Sequence, residues 1–218
     1  MFVGHFGVAF VAKRAEPSLS LGTLVLAAML ADLLWTVFMM VGVEQVAFKP
    51  GMGAVNYFDA VNIAMSHSLL MDAIWAAVFA AVYYSSRHRS RAAWILFAAV
   101  LSHWVLDVVS HRPDMPLAPG VPLFFGWGLW TSVPATLVVE GGFWLIAVVL
   151  YARAARPEHR VGIFAFWIGV ALLTLLWHNN IAGPPPPPRT APLGSLIVFS
   201  LALAWAYWVD RLRPLRNR

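Results

Sequence analysis

The stretch "SHWVLDVVSH" (residues 102–111) places three ionisable side chains at the end of an apolar segment that begins near residue 92. A segment of about twenty apolar residues is long enough for a helix to cross the hydrocarbon core of a membrane. His103, Asp107 and His111 follow the spacing i, i+4, i+8, so a helix places them along one face. Charged groups inside a membrane are costly, and this face therefore indicates a functional site.

The composition is that of a membrane protein. Of 218 residues, 61% are hydrophobic and 11% charged, and the mean hydropathy is +0.73; soluble domains carry roughly 25% charged residues. The net charge of +5 comes from basic clusters beside apolar segments, which reflects membrane topology rather than a nucleic-acid partner. The chain has no cysteine, which excludes thiolate metal ligands.

The apolar segments predict the fold class: an all-α, polytopic membrane helix bundle in one integral-membrane domain, residues 1–218. No internal repeat is evident. The N-terminal "MFVGHFGVAFVA" lacks the charge order of a signal peptide and is too short to span, so we expect a half-membrane helix there. The predicted spans are about six: residues 19–43, 63–86, 92–111, 131–152, 160–181 and 192–210.

Four basic clusters decide the predicted orientation. They are Lys13 with Arg14, "RHRSR" (87–91), "RAARPEHR" (153–160) and "RLRPLRNR" (211–218). With six spans all four fall on one side of the membrane, which the positive-inside rule makes cytoplasmic, together with both termini. The proline-rich run at 184–192 then lies outside as a stiff connector.

Ionisable groups recur at overlapping depth in the middle and outer half of the predicted spans. Imidazoles and carboxylates without thiolates form the ligand set of a catalytic zinc site, or of another divalent metal. Seven such groups exceed the needs of one tetrahedral ion, so two or three ions account for them better. Each histidine taken alone has a simpler interpretation as a packed residue, and the roles of Asp72, Asp114 and His178 stay open. The predicted metal ligands are His5, Asp32, His67, His103, Asp107, His111 and Glu140.

Short ordered motifs within residues 1–150 carry a family resemblance. They are "GH" at His5, "ADLLW" at Asp32, "SHSLL" at His67, "SHWVLD" at His103 and Asp107, and "GLWTSVPATLVVE" at 128–140. This chain resembles the YdjM-like membrane-bound metal-dependent hydrolases, also called LexA-binding, inner-membrane-associated hydrolases. The resemblance implies a bacterial-type cytoplasmic (inner) membrane, and leaves residues 160–210 as two further helices outside the metal-site core.

That family is in turn similar to zinc-dependent phospholipase C, which implies a ligand scheme. Asp32, His67, His103 and Asp107 would hold a first ion, Asp107 would bridge to a second ion with His5, and His111 and Glu140 would hold a third. The soluble enzymes have a histidine where this chain has Thr136, so two ions fit this sequence better than three.

The predicted function is metal-assisted hydrolysis of a phosphoester in a lipid or lipid-linked substrate, at a site facing the extracytoplasmic half of the membrane. Asp32 would act as a ligand or as the general base that orients water. Two alternatives stay open. One is a small transporter or permease that uses the His/Asp cluster as an ion or proton relay, and the other is a non-catalytic membrane scaffold.

Overall fold

Helices account for most of the chain and confirm the predicted all-α membrane bundle. The structure, a computed structural model, describes residues 1–48, 54–55, 58–184, 187 and 190–215. Within these residues there are nine α-helices: α1 Val3–Ala15, α2 Leu21–Ala28, α3 Leu30–Met40, α4 Ala64–His67, α5 Leu69–Arg87, α6 Ser90–Ser110, α7 Val133–Ala154, α8 Arg160–Ala182 and α9 Ala191–Leu212.

Five helices, α5 to α9, are each long and apolar enough to cross a membrane. The predicted span at 19–43 is not one straight helix, because α2 and α3 meet at Met29 and are bent by 57°. Counting this pair as one broken span gives up to six. The break contains neither proline nor glycine, the residues that usually signal a kink. The local sequence therefore gives no indication that the helix is interrupted at Met29.

The outer surfaces of the long helices are apolar. Val138 on α7, Leu175 on α8 and Leu201 on α9 are 74%, 62% and 66% exposed. Many similar side chains lie along these helices, and soluble proteins rarely expose apolar area on this scale. The surface is consistent with contact to lipid hydrocarbon.

Helix α1 forms the centre of the bundle. Val3, Phe6 and Phe10 are fully buried, and the helix packs against α2, α6 and α7. Phe10 stacks on Tyr151 with ring centroids 4.9 Å apart. With 13 residues, α1 is about 20 Å long, so it reaches only part of the way through a membrane, as the sequence predicts.

Helix α9 is bonded to α1 and to the end of α7 through residues at its basic, C-terminal end. Lys13 Nζ lies 2.8 Å from Asp210 Oδ1, and Arg213 donates to the carbonyl of Ala155 at 2.7 Å. Helix α9 also packs along α2, α3 and α8. Residues 160–212 therefore belong to the same bundle as the predicted metal-site core.

Short antiparallel hairpins occupy two of the predicted loops. Strands β1 Gln45–Phe48 and β2 Phe58–Asn62 pair in one, and β3 Met115–Pro116 and β4 Phe124–Phe125 in the other. The proline-rich connector predicted at 184–192 lies partly outside the described residues.

Candidate metal site

Five of the seven predicted ligands converge inside the bundle. They form two groups of three that share His103, and within each group the ligand atoms all lie within 4.8 Å of one another. One group is His5, His103 and Asp107, and the other is Asp32, His67 and His103. These side chains, all buried except the partly exposed Asp32, can hold a metal ion.

Local structure explains how each ligand reaches the cluster. His103 and Asp107 are one helical turn apart on α6, so their side chains lie on one face. Asp32 lies in the first turn of α3, just after the bend at Met29. His67 ends α4, where the chain becomes extended at Ser68 before α5 begins.

The bend between α2 and α3 also orients His103. Carbonyls at the C-terminal end of a helix lack an intrahelical donor, and the carbonyl of Ala28 accepts from His103 Nδ1 at 2.8 Å. Since a carbonyl can only accept, Nδ1 of His103 carries a proton. The other ring nitrogen, Nε2, is buried and has no hydrogen-bond partner among the described residues.

His67 is oriented by a chain of two hydrogen bonds that the sequence did not predict. The Ser66 hydroxyl donates to Glu44 Oε2 at 2.6 Å and lies 2.7 Å from His67 Nδ1. Having given its only proton to Glu44, the hydroxyl accepts from His67 Nδ1, so Nδ1 is the protonated ring nitrogen.

Glu44 itself is only 2% exposed, and it also accepts from the backbone N–H groups of Met65 and Ser66 at 2.9 and 2.8 Å. It lies in a segment that the sequence predicted only as a loop. The serine beside His67 in "SHSLL" is the one local signal of this arrangement.

The remaining nitrogens of His67 and His103 face the same two carboxylates. His103 Nε2 lies 3.4 Å from Asp107 Oδ2 and 3.7 Å from Asp32 Oδ1. His67 Nε2 lies 3.5 Å from Asp32 Oδ1 and 3.7 Å from Asp107 Oδ2. These separations exceed a normal hydrogen bond of about 2.7–3.2 Å. They are close to the edge of a zinc tetrahedron, about 3.3–3.4 Å for bonds of about 2.0–2.1 Å.

The second carboxylate oxygen of Asp107 faces a different set of groups. Asp107 Oδ1 lies 3.1 Å from His5 Nε2 and forms an ion pair with the amino nitrogen of Met1. The imidazoles of His5 and His103 are stacked with centroids 3.7 Å apart. The two oxygens of Asp107 thus point to two neighbouring groups of nitrogen atoms, and the predicted bridging role of Asp107 between two ions stays a prediction.

Glu140 and His111 lie outside both groups of three. Glu140 is fully buried, and its Oε1 accepts from the backbone N–H of Phe2 at 2.6 Å. Trp130 Nε1 donates to the other oxygen at 3.3 Å. Glu140 therefore holds the start of α1 in place, and its role as a metal ligand stays a prediction.

His111 pairs with a residue of its own loop. Its Nδ1 lies 3.1 Å from Asp114 Oδ1, and the other oxygen of Asp114 accepts from Arg112 at 3.1 Å. Its metal role also stays a prediction.

Asp72, whose role the sequence left open, is buried on α5, and neither of its carboxylate oxygens has a hydrogen-bond partner among the described residues.

A cavity of about 390 Å³ opens beside the cluster, within the range of small-molecule sites. Its ionisable lining residues are His5, Asp32, His67, Asp107, His111 and Glu140, which form the polar end of the cavity. Asp32 is the most accessible of these, with 20% of its side chain exposed. The opposite wall comes from α8 and α9, for which the sequence had predicted no part in a site.

Comparison with protein-family models, curated proteins and solved structures finds no match for this chain.

Proposed function

We propose that this protein is a membrane-embedded, metal-dependent hydrolase that acts on a phosphoester bond in a lipid or lipid-linked substrate. One observation carries the proposal. Nε2 of His67 and Nε2 of His103 face the same two carboxylates, at distances that suit metal ligands better than hydrogen bonds. With both imidazoles neutral and protonated at Nδ1, the four facing atoms are all hydrogen-bond acceptors, and a metal cation among them would offset their mutual repulsion.

The residues fit a zinc ion in number and chemistry. His67 and His103 supply two nitrogens and Asp107 supplies an oxygen, which is the three-ligand set of a catalytic zinc site that leaves its fourth position for water. Asp32 lies beside these ligands, where it would act as a further ligand or as the general base. Nδ1 of each histidine, the ring nitrogen that faces away from the carboxylates, is held by a hydrogen bond, as is usual for metal-binding histidines. Asp107 Oδ1 and His5 would contribute to a second ion, as the family resemblance implies.

Bound zinc would supply Lewis acidity for a phosphoryl oxygen and would lower the pKa of a water molecule. The protein's own groups would accept the proton of the water and hold the reacting groups in place. Asp32, which is partly exposed to the cavity, would accept the proton of the attacking water and hold that water in line. The hydrogen bonds that His103 donates to the Ala28 carbonyl and that His67 donates to the Ser66 hydroxyl would keep both imidazoles in one orientation throughout.

The position of the cluster supports a substrate in the membrane. His103 is 13 residues beyond Ser90, the first residue of α6, which places it about 20 Å along that helix from the basic end. With the basic clusters in the cytoplasm, this depth corresponds to the extracytoplasmic half of the membrane.

The test is elemental analysis of purified protein followed by assays of phosphodiester and phosphomonoester lipids in detergent micelles. We expect bound zinc and hydrolysis in the wild type, and loss of both in His103→Ala. His159→Ala is the matched control, because His159 is exposed and lies at the start of α8. Wild-type protein without metal, or His103→Ala with full activity, would contradict the proposal. Metal-dependent uptake by proteoliposomes without hydrolysis would favour a transporter instead.

A further inference from the structure

One part of the lining of the cavity beside the metal ligands, named here the apolar end, comes from α8 and the start of α9 and is mainly apolar, with Asn180, Thr190 and Ser195 as its polar members. The cavity wall there is formed by Leu176 and Trp177 of α8 and by one face of α9. The contributing positions on α9 recur at i, i+3, i+4 and i+7, the spacing of a single helix face. These positions are Ala191, Gly194, Ser195 and Val198.

Helix α9 separates this cavity from the membrane around it. On its other face, Leu193, Ile197 and Leu201 are 52%, 51% and 66% exposed. Apart from Phe199, the cavity-lining positions of α9 carry small side chains. A Cβ atom added at Gly194 would meet no atom within 4 Å, so this position has room for a larger side chain.

The other side of the apolar end is fixed by a close contact between α7 and α8. A Cβ atom at Gly141 would lie 2.8 Å from Cη2 of Trp177, so only glycine lets the indole approach α7 this closely. Trp177 is 8% exposed. Gly141 directly follows Glu140 in the chain. The indole of Trp177, which contacts α7 at Gly141, therefore lies close to Glu140 at the polar end of the cavity.

The apolar end begins at the depth of the proposed metal ligands. Val198 is 14 residues before Leu212, the last residue of α9, which corresponds to about 21 Å from the basic end of that helix. This value agrees with about 20 Å for His103 on α6. Gly194 and Ala191 lie about 6 and 11 Å farther from the basic end, so the wall extends from the level of His103 toward the first residue of α9.

We propose that the wall formed by α8 and α9 binds the hydrocarbon chain of a phosphate-bearing amphiphile, whose phosphate group lies at the ligand cluster. The position of the phosphate group in this inference rests on the proposed function. The position of the hydrocarbon chain rests on the cavity alone. A single cavity that is lined in one part by the ionisable cluster and in another mainly by apolar residues of α8 and α9 matches the phosphate group and the hydrocarbon chain of such a molecule. Its position between helices within the membrane lets a lipid enter without leaving the bilayer.

Photo-crosslinking tests this assignment with the full chain in phosphatidylcholine nanodiscs. The probe is hexadecyl phosphate with a diazirine near the end of its chain, and the labelled positions are mapped by mass spectrometry. We expect adducts on Leu176, Val198 and Phe199, which line the cavity. Unlabelled hexadecyl phosphate in excess should suppress them, whereas hexadecanol should not.

Two glycine variants provide a matched pair. Gly194→Leu fills the cavity and should reduce labelling about tenfold or more. Gly142→Leu, on α7, should leave labelling unchanged, since Gly142 also has open space around an added Cβ but does not line the cavity. Zinc content, measured on the same samples, should be equal in wild type and both variants.

The proposal is overturned if adducts occur only on lipid-facing residues such as Leu193 and Ile197, if Gly194→Leu is labelled as strongly as wild type, or if hexadecanol competes as well as the phosphate. Protein that lacks zinc but shows the expected adducts would refute the proposed hydrolase while leaving the chain-binding wall in place. The two proposals therefore fail separately.

Discussion

Replacing Ser66 with alanine is a direct test of how the metal ligands are held. The Ser66 hydroxyl links His67 Nδ1, 2.7 Å away, to Glu44 Oε2, 2.6 Å away. The substitution removes both hydrogen bonds and leaves two buried polar groups without this partner. His67 then loses the contact that fixes its tautomer and ring orientation.

The expected effect is on metal affinity. Loss of a hydrogen bond to the outer nitrogen of a metal-binding histidine typically weakens binding about 10–100-fold, which corresponds to about 1.4–2.7 kcal/mol. Ser68→Ala is the matched control, because Ser68 is equally buried and its hydroxyl caps α5 by accepting from Met71 N at 3.3 Å. Loss of this cap should cost about 1 kcal/mol of stability without weakening zinc binding.

The assay is a competition titration of zinc between the purified protein and a chelating dye in detergent. Circular dichroism and thermal unfolding establish that each variant is folded. We expect a higher zinc Kd for Ser66→Ala alone. A Kd within about threefold of wild type for folded Ser66→Ala would refute the positioning role. Equal weakening in Ser68→Ala would show that the loss is a general structural effect.

Three further predictions concern stability and metal content. Gly141→Ala should lower the free energy of unfolding by about 1–3 kcal/mol, because its Cβ would meet Trp177, whereas Gly142→Ala should be neutral or stabilising; thermal unfolding compares the two. Glu140→Gln should lower the unfolding temperature, since it weakens a buried, charge-assisted bond from Phe2 N worth about 1.5–3 kcal/mol. Its zinc content by elemental analysis should stay at the wild-type value, and loss of one ion would make Glu140 a ligand. Chelation of the metal should lower the unfolding temperature, and added zinc should restore it, because a ligand at 1,000 times its Kd stabilises by about 4 kcal/mol; no shift in either direction would argue against a bound metal.

Much of the architecture follows from local sequence. Apolar segments of spanning length predict α6 to α9 to within two residues at each end, because the hydrocarbon thickness fixes how many apolar residues a helix needs. The predicted span 63–86 is instead interrupted at Ser68, where α4 ends and α5 begins. The pair His103 and Asp107 is equally local, since residues one turn apart must share a helix face. For the same reason, the ionisable groups within apolar segments mark the site before any fold is known.

Other features depend on residues far apart in the chain. The bend at Met29 carries no proline or glycine, and its consequence is a hydrogen bond from His103 to Ala28, 75 residues away. Glu44 reaches Ser66 across 22 residues through a segment without helical periodicity. Glu140 meets Phe2 at a separation of 138 residues, so its contacts depend on how α1 and α7 pack.

The sequence by itself determined that this protein is a helical membrane bundle and that its imidazoles and carboxylates lie at similar depth, because span length and helical spacing are local properties. Only the tertiary structure decided which of them meet. It brought five together in two groups that share His103, placed Glu140 at the start of α1 and His111 beside Asp114, and set α8 and α9 against the cavity. The physical reason is that rotation and bending of packed helices aim each side chain, and these are fixed by contacts between distant segments.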